Sequence, residues 1–212
     1  MSDDAGYRCT AAEALARLTE GNARFVRGEA RFPTIRKEVL AALARRQEPY
    51  ATILGCSDSR VPPELVFDAG FGELFIIRLA GNVLSPEVAG TMQYAGTHLK
   101  TPLFVVLGHE GCGAVKAALD VKFRGVRDRS RIEELLQNIL PALDGLDPDL
   151  PHEELMRAAV EANVRFTMRR ILATPEARQR EAEGILKLVG AVYDLAEGAV
   201  RFFEAGGAAE VR

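Results

Sequence analysis

The sequence lacks long hydrophobic runs and long runs of one charge. Its 212 residues carry a formal net charge of -3, and no apolar segment approaches the roughly 18 to 20 residues that a membrane-spanning helix needs. The first residues are acidic and polar, without the basic and then apolar profile of a secretory signal. We therefore expect a cytoplasmic protein that has no membrane partner and no nucleic-acid partner.

Cysteine is also scarce. The chain has 3 cysteines, too few for a disulfide framework, and a reducing compartment would keep them as thiols. Cys9 stands alone in a polar stretch and is expected to have no special role. Cys56 and Cys112 lie in short polar loops, which sets them apart.

Reactive side chains follow two apolar segments of strand length. Residues 50–55 run directly into Cys56-Ser-Asp-Ser-Arg60, and residues 103–108 run into His109-Glu-Gly-Cys112-Gly113. In open α/β sheets, ligands bind outside the carboxyl ends of the strands. The sequence therefore predicts that Cys56, His109 and Cys112 lie together at one edge of a sheet.

These three side chains are typical zinc ligands. Thiolate and imidazole suit zinc, and three protein ligands leave one tetrahedral position open, as in catalytic zinc sites. A structural site would generally have a fourth cysteine or histidine. His98, near a predicted helix end, and His152, in a polar loop, do not follow a strand in this way, so no such fourth ligand is evident.

Asp58 is a candidate for the fourth position. Its carboxylate could bind the metal and close the site, or stay off the metal and accept a hydrogen bond from a water or hydroxide bound there. Arg60 favours the second arrangement, because a guanidinium can hold a carboxylate through two hydrogen bonds. The alternative is a surface ion pair that only caps the loop.

Strand and helix signals alternate along the chain, which indicates right-handed crossovers and an α/β fold. We predict a mostly parallel central sheet of four strands plus an antiparallel edge strand, flanked by helices. The predicted single domain, 1–212, comprises an N-terminal helical arm (10–46), a zinc-site core (50–120), a helical segment (124–182) and C-terminal strands (185–203). Periodicity alone allows the two helices of the arm to pack on their own sheet or on a partner subunit.

Taken together, the motifs resemble those of the β-class carbonic anhydrases. The likeness rests on Cys56-Ser-Asp-Ser-Arg60 and on His109-x-x-Cys112 about fifty residues later. It extends through further positions: Arg78, Ala80-Gly81-Asn82, Gln93-Tyr94-Ala95, Gly113 and Gly190-Ala-Val-Tyr-Asp194. It covers most of the chain and is weakest over 122–183.

The resemblance implies reversible hydration of CO₂ to bicarbonate and a proton. Zinc would be held by Cys56, His109 and Cys112, with Asp58 and Arg60 as a dyad beside it. The resemblance also implies a homodimer or a dimer of dimers with shared active sites. The N-terminal helices would then pack on the partner subunit.

The resemblance further implies a substrate pocket lined by Gln47, which reaches in from the other subunit, and by Phe75, Tyr94 and Gly113. These residues match family members whose zinc site is permanently open. Members regulated by bicarbonate carry a tryptophan three residues before the first cysteine ligand. This chain has Ile53 there and no tryptophan, so the unregulated form is favoured.

Two thiolate ligands cancel the formal charge of Zn²⁺, so a water on this metal should be less acidic than at a three-histidine site. We expect activity to rise with pH toward ~8 to 9.

One alternative function is hydrolysis of carbonyl sulfide or carbon disulfide on the same zinc site. A second is a non-catalytic structural zinc protein.

Overall fold

The computed structural model describes residues 9–31, 40–41, 43–127 and 130–204. The second predicted helix of the N-terminal arm, from about 34 to 46, lies largely outside these residues. Within the described part, no helix has both the length and the apolar character that crossing a bilayer requires.

Twelve helices and strands matter here, and they alternate as the sequence predicts. In chain order they are α1 (Ala11–Val26), β1 (Ala51–Gly55), α2 (Pro63–Val66), β2 (Leu74–Arg78), α3 (Pro86–Tyr94), β3 (Leu103–His109), α4 (Gly113–Arg124), α5 (Arg131–Leu136), α6 (His152–Leu172), α7 (Pro175–Ala182), β4 (Lys187–Tyr193) and β5 (Val200–Phe203). Short single turns of other helix types occupy Ala80–Asn82, Ala95–Leu99 and Leu140–Leu143.

The five strands form one sheet in the order β2-β1-β3-β4-β5. The first four are parallel, and β5 pairs antiparallel with β4. The predicted fold class is therefore confirmed. In register, Gly55 at the end of β1 pairs with Arg78 of β2 and with Leu107 of β3. The loops after β1 and β3 therefore leave the sheet at the same edge.

The helix α1 begins where its sequence signals it. Thr10 accepts a hydrogen bond from the backbone N–H of Glu13 at 3.2 Å, and the Glu13 carboxylate accepts from the backbone N–H of Thr10 at 2.7 Å. This reciprocal arrangement satisfies two of the amides that a helix start leaves unpaired.

The helix α1 packs on the chain's own sheet. Ala14, Leu15 and Leu18 are buried in the chain's own core, with Ile53 of β1 and Val105 of β3. One face of the helix therefore packs on the chain's own sheet, and the prediction that the N-terminal helices pack on a partner subunit stays a prediction. The physical reason for the packing on its own sheet is that its apolar stripe already matches a sheet face that would otherwise be exposed.

The long helix α6 lies close against the sheet because two strand positions lack a side chain. A Cβ on Gly108 would lie 2.6 Å from Val164, and one on Gly190 would lie 2.7 Å from the Met168 sulfur. Both contacts are shorter than packed atoms allow, so these glycines set how closely the helix approaches. In its described part, the segment 124–182 is mainly helical and contains no strand.

Candidate active site

The structure brings the three predicted metal ligands together. Cys56 follows β1, His109 ends β3 and Cys112 precedes α4, and all three are buried. One ligand atom from each lies within 4.8 Å of the other two, and the two sulfurs are 3.9 Å apart.

These distances fit a tetrahedral zinc. Two sulfurs that each lie about 2.3 Å from such an ion are about 3.8 Å apart. The Nδ1 atom of His109 lies 2.9 Å from the backbone carbonyl of Glu110. A hydrogen bond donated there leaves the lone pair on Nε2, the arrangement that metal-binding histidines use. That Nε2 atom is buried and has no hydrogen-bond partner among the described residues. The donor set therefore fits the metal.

The two buried sulfurs shift each other's pKa in opposite directions. The pKa of Cys56 is lowered, first by a hydrogen bond with the Cys112 thiol and then by contacts with His109 and the Gly81 amide. The pKa of Cys112 is raised, because its proton is held by Cys56 and its sulfur is buried. A divalent ion would allow both to ionise.

Asp58 lies beside this cluster and is held by Arg60. The Arg60 Nε and Nη2 atoms donate to the two carboxylate oxygens at 3.0 and 2.7 Å, and the Arg60 backbone N–H donates at 3.0 Å. These bonds lower the pKa of Asp58 well below its usual range, so the carboxylate stays ionised. Its Oδ2 atom is 3.7 Å from the Nε2 atom of His109. The carboxylate is thus next to the metal position but turned toward Arg60.

Arg78 is a site residue to which the sequence gives no role. Its guanidinium donates to the backbone carbonyls of Cys56 at 2.9 Å and Asp58 at 2.6 Å. Its place in β2, opposite the last residue of β1, puts it within reach of that loop. Arg78 therefore fixes the backbone that carries the candidate ligand Cys56 and the Asp58 carboxylate. The sequence signals are an arginine at the end of an otherwise apolar strand and its place among the positions that carry the family resemblance.

The predicted pocket residues are brought together only in part. The rings of Phe75 and Tyr94 are 6.2 Å apart, and Gly113 directly follows a ligand as the first residue of α4. Gln47 is exposed and precedes β1, whereas Cys56 follows it. The five residues of β1 span about 16 Å at ~3.3 Å per residue. Gln47 therefore lies at the opposite end of the strand from its own chain's metal ligands.

His98 contacts Tyr94, one of the predicted pocket residues. Its ring centroid lies 4.9 Å from that of Tyr94, within the wide turn Ala95–Leu99 that follows α3. Both side chains are exposed. The signal in the sequence is the four-residue spacing, which places two helical side chains on one face.

This geometry agrees with comparisons to known proteins. A family model described as carbonic anhydrase matches residues 51–200. The solved structure of the β-carbonic anhydrase CcaA is similar, with a TM-score of 0.76 and 27% identity over 94% of this chain and 92% of that one.

The chain belongs to the β-class carbonic anhydrases. The carbonic anhydrase 2 of Mycobacterium tuberculosis is 39% identical over 186 residues, which cover 85% of this chain and 87% of the relative. Two tetrameric β-carbonic anhydrases of Sordaria macrospora are represented by a structure with a TM-score of 0.70 at 22% identity, covering 95% of this chain and 98% of that one, so that likeness shows the shared fold.

Membership in this family confirms the predicted class of enzyme. The chain is a carbonic anhydrase, and hydration of CO₂ is the family's reaction. The family is metal dependent, and Cys56, His109 and Cys112 are a group that could bind the metal.

Proposed function

We propose that the chain catalyses zinc-dependent, reversible hydration of CO₂ to bicarbonate and a proton, with Asp58 and Arg60 as the dyad beside the metal. The observation that supports this most directly is the placement of Asp58. The pKa of its carboxyl is lowered, its Oδ2 atom lies 3.7 Å from the unpartnered His109 Nε2, and both of its oxygens accept hydrogen bonds from Arg60. A non-catalytic zinc site has no need for such a carboxylate.

Zinc at this site would supply the acidity that turns a water into a nucleophile near neutral pH. Asp58 would accept a hydrogen bond from that nucleophile and so turn a lone pair toward the carbon of CO₂. Arg60 keeps Asp58 ionised and in place, and Arg78 holds the loop that carries it. Because two of the ligands are thiolates, the water should titrate above the ~7 typical of three-histidine sites.

We propose that CO₂ binds in a pocket whose walls include Phe75, Tyr94 and Gly113. The amide of Gln47 would hold a substrate oxygen in the site of the other subunit, since Gln47 lies far from its own chain's cluster. This requires at least a homodimer and allows a dimer of dimers. All three cysteines are free, which supports a reducing compartment such as the cytoplasm.

The proton released by hydration would leave through Tyr94 and His98. The exposed His98 ring contacts the Tyr94 ring, so the two side chains would form one route to solvent. The proposal predicts that added buffer restores turnover to a His98→Ala variant, because a soluble base replaces the lost one.

The first test is stopped-flow CO₂ hydration by zinc-loaded protein between about pH 7 and 9, with the Asp58→Asn variant alongside. We expect hydration to rise with pH and to fall roughly 100-fold or more in the variant, with zinc content unchanged. Absence of hydration in zinc-loaded wild type would contradict the proposal. Carbonyl sulfide and carbon disulfide, assayed on the same samples, would then show whether the site acts on sulfur analogues instead.

A further inference from the structure

One sulfur of the cluster contacts a strained turn. The backbone N–H of Gly81 donates to the Cys56 sulfur at 3.3 Å. Gly81 is buried, and its φ of +69° lies in the left-handed region that favours glycine. The direction of this N–H therefore depends on what holds the turn Ala80–Asn82 in place.

Two residues of the helical segment hold that turn. Asn163 of α6 is 1% exposed, and its Nδ2 atom donates to the Gly81 carbonyl at 2.8 Å. On the other side, a Cβ at Gly81 would lie 2.7 Å from the Cδ1 atom of Ile139. Of the two peptide groups that flank the Gly81 Cα, one therefore donates to the sulfur and the other accepts from Asn163.

A hydrogen bond from an amide to a thiolate does two things at a metal centre. It fixes the direction of the sulfur lone pairs, and it draws negative charge away from the sulfur, which changes how strongly that ligand binds the metal. Without Asn163, the buried Gly81 carbonyl would lose its donor, and the turn would have to rotate toward another one. The N–H on the other side of the same residue would then move away from the sulfur.

We propose that Asn163 is a positioning residue of the metal centre, which acts through Gly81 on the Cys56 ligand. This rests on the proposed zinc site, and it gives the segment 124–182 a role in the enzyme: through Asn163 and Ile139 it braces the loop that supports a metal ligand. Asn163 touches neither metal nor substrate.

The chain contains a matched control for a purely structural asparagine. Asn22 is also buried, at 6% exposure. Its Nδ2 atom donates to the carbonyls of Val66 and Gly198, and its Oδ1 atom accepts from the N–H of Val200. None of these bonds reaches the cluster. Asn163 differs, because its Oδ1 atom has no partner in the described part of the chain, so its recorded hydrogen bond is the one to Gly81.

The test compares Asn163→Ala and Asn163→Ser with Asn22→Ala, each loaded with zinc or with cobalt. We would measure the rate of zinc loss to a chelator and the near-ultraviolet sulfur-to-cobalt absorption band. We expect both Asn163 variants to lose zinc about 10- to 100-fold faster than wild type and to shift the cobalt band. Asn22→Ala should lower thermal stability but leave both readouts at the wild-type value.

Three outcomes would overturn the inference. Wild-type zinc release and an unshifted band in folded Asn163 variants would show a structural role alone. Failure of both Asn163 variants to fold, with Asn22→Ala folded, would show that the residue serves the fold first. A wild type that binds neither metal would remove the centre itself. If the wild type binds zinc and the variants differ from it as predicted, but the wild type hydrates no CO₂, only the proposed function is contradicted.

Discussion

At Asp58, two interactions compete for one carboxylate. The ion pair with Arg60 turns it away from the cluster, while a metal ion held by His109, whose Nε2 atom lies 3.7 Å from the Asp58 Oδ2 atom, would attract it. The bidentate geometry favours the ion pair, since each carboxylate oxygen already accepts a hydrogen bond from the guanidinium. Arg60 is therefore the residue that would keep the fourth metal position free.

We expect Arg60→Gln to lower CO₂ hydration at least roughly tenfold while zinc is retained more firmly. Without the guanidinium, the pKa of Asp58 rises toward its usual value, and the carboxylate becomes free to occupy the fourth position. Stopped-flow assays and chelator competition measure the two effects. Arg60→Lys is the control, because it keeps the charge but cannot make the two parallel hydrogen bonds. Its hydration rate and zinc retention should lie between those of the wild type and those of Arg60→Gln. Loss of activity with weaker zinc retention would contradict this account.

Asp68 is a second carboxylate with a shifted pKa, and it serves stability. Its side chain is 1% exposed and accepts from Arg24 Nε at 2.5 Å and Arg31 Nε at 3.0 Å. Burial alone would raise its pKa, but hydrogen bonds from Arg24 and Arg31 outweigh burial and lower it. A lowered folded-state pKa stabilises the protein above the usual value for aspartate, about 4, and this contribution is lost as pH falls through the folded-state pKa.

Asp68→Asn should therefore reduce the free energy of unfolding at neutral pH by about 2 to 4 kcal/mol, with a smaller difference below about pH 3. Asparagine tolerates the positive φ of 45° at this position, so the substitution tests the charge. Urea unfolding of the wild type and the variant, at neutral pH and below about pH 3, measures the difference in the free energy of unfolding. Glu29→Gln breaks an exposed pair with Arg27 and should cost less than about 1 kcal/mol. Equal losses at both pH values would exclude the charge as the cause.

At the scale of elements, one asparagine joins α1 to two distant parts of the chain. The three hydrogen bonds of Asn22 reach the carbonyls of Val66 and Gly198 and the N–H of Val200. We expect Asn22→Ala to destabilise the protein by roughly 2 to 4 kcal/mol, because buried backbone groups lose their partners. Denaturant unfolding measures this. Asn138→Ala, the same change at a less buried site, should cost less than about 1 kcal/mol.

The strands and their reactive loops could be predicted because their signals are local. An apolar run of strand length that ends in a cysteine or histidine needs only the chain direction and the parallel topology to place those residues at one edge. The Asp58 and Arg60 pair is equally local, since the two residues are two positions apart. Side chains separated by few residues leave few arrangements to choose from.

The remaining features depend on contacts between distant parts of the chain. Asn163 lies 82 positions from the Gly81 carbonyl it holds, and nothing in the helical pattern of α6 marks it as more than a core polar residue. The sequence does not determine which surface α1 packs on, for a related reason: an amphipathic stripe fits any apolar face. In the structure the chain's own sheet supplies that face.

At the scale of the whole molecule, we propose that the site of one chain is completed by a residue of a second chain. Gln47 lies before β1, about 16 Å of strand away from Cys56. An exposed side chain at that end of the strand cannot reach the cluster of its own chain. The proposal that Gln47 serves the site of a partner subunit can be tested by mixing two inactive variants.

A chain with Gln47→Ala keeps its metal ligands, and a chain with Cys56→Ser keeps Gln47. In a hybrid dimer, the metal site of the first chain then receives an intact Gln47 from the second, so one complete site forms. Random pairing makes half the dimers hybrid, which predicts about one quarter of wild-type activity after co-refolding. Co-refolding each variant with itself is the control and should give no gain. If Gln47 acted within its own chain, the hybrid would hold no complete site, and mixing would restore nothing.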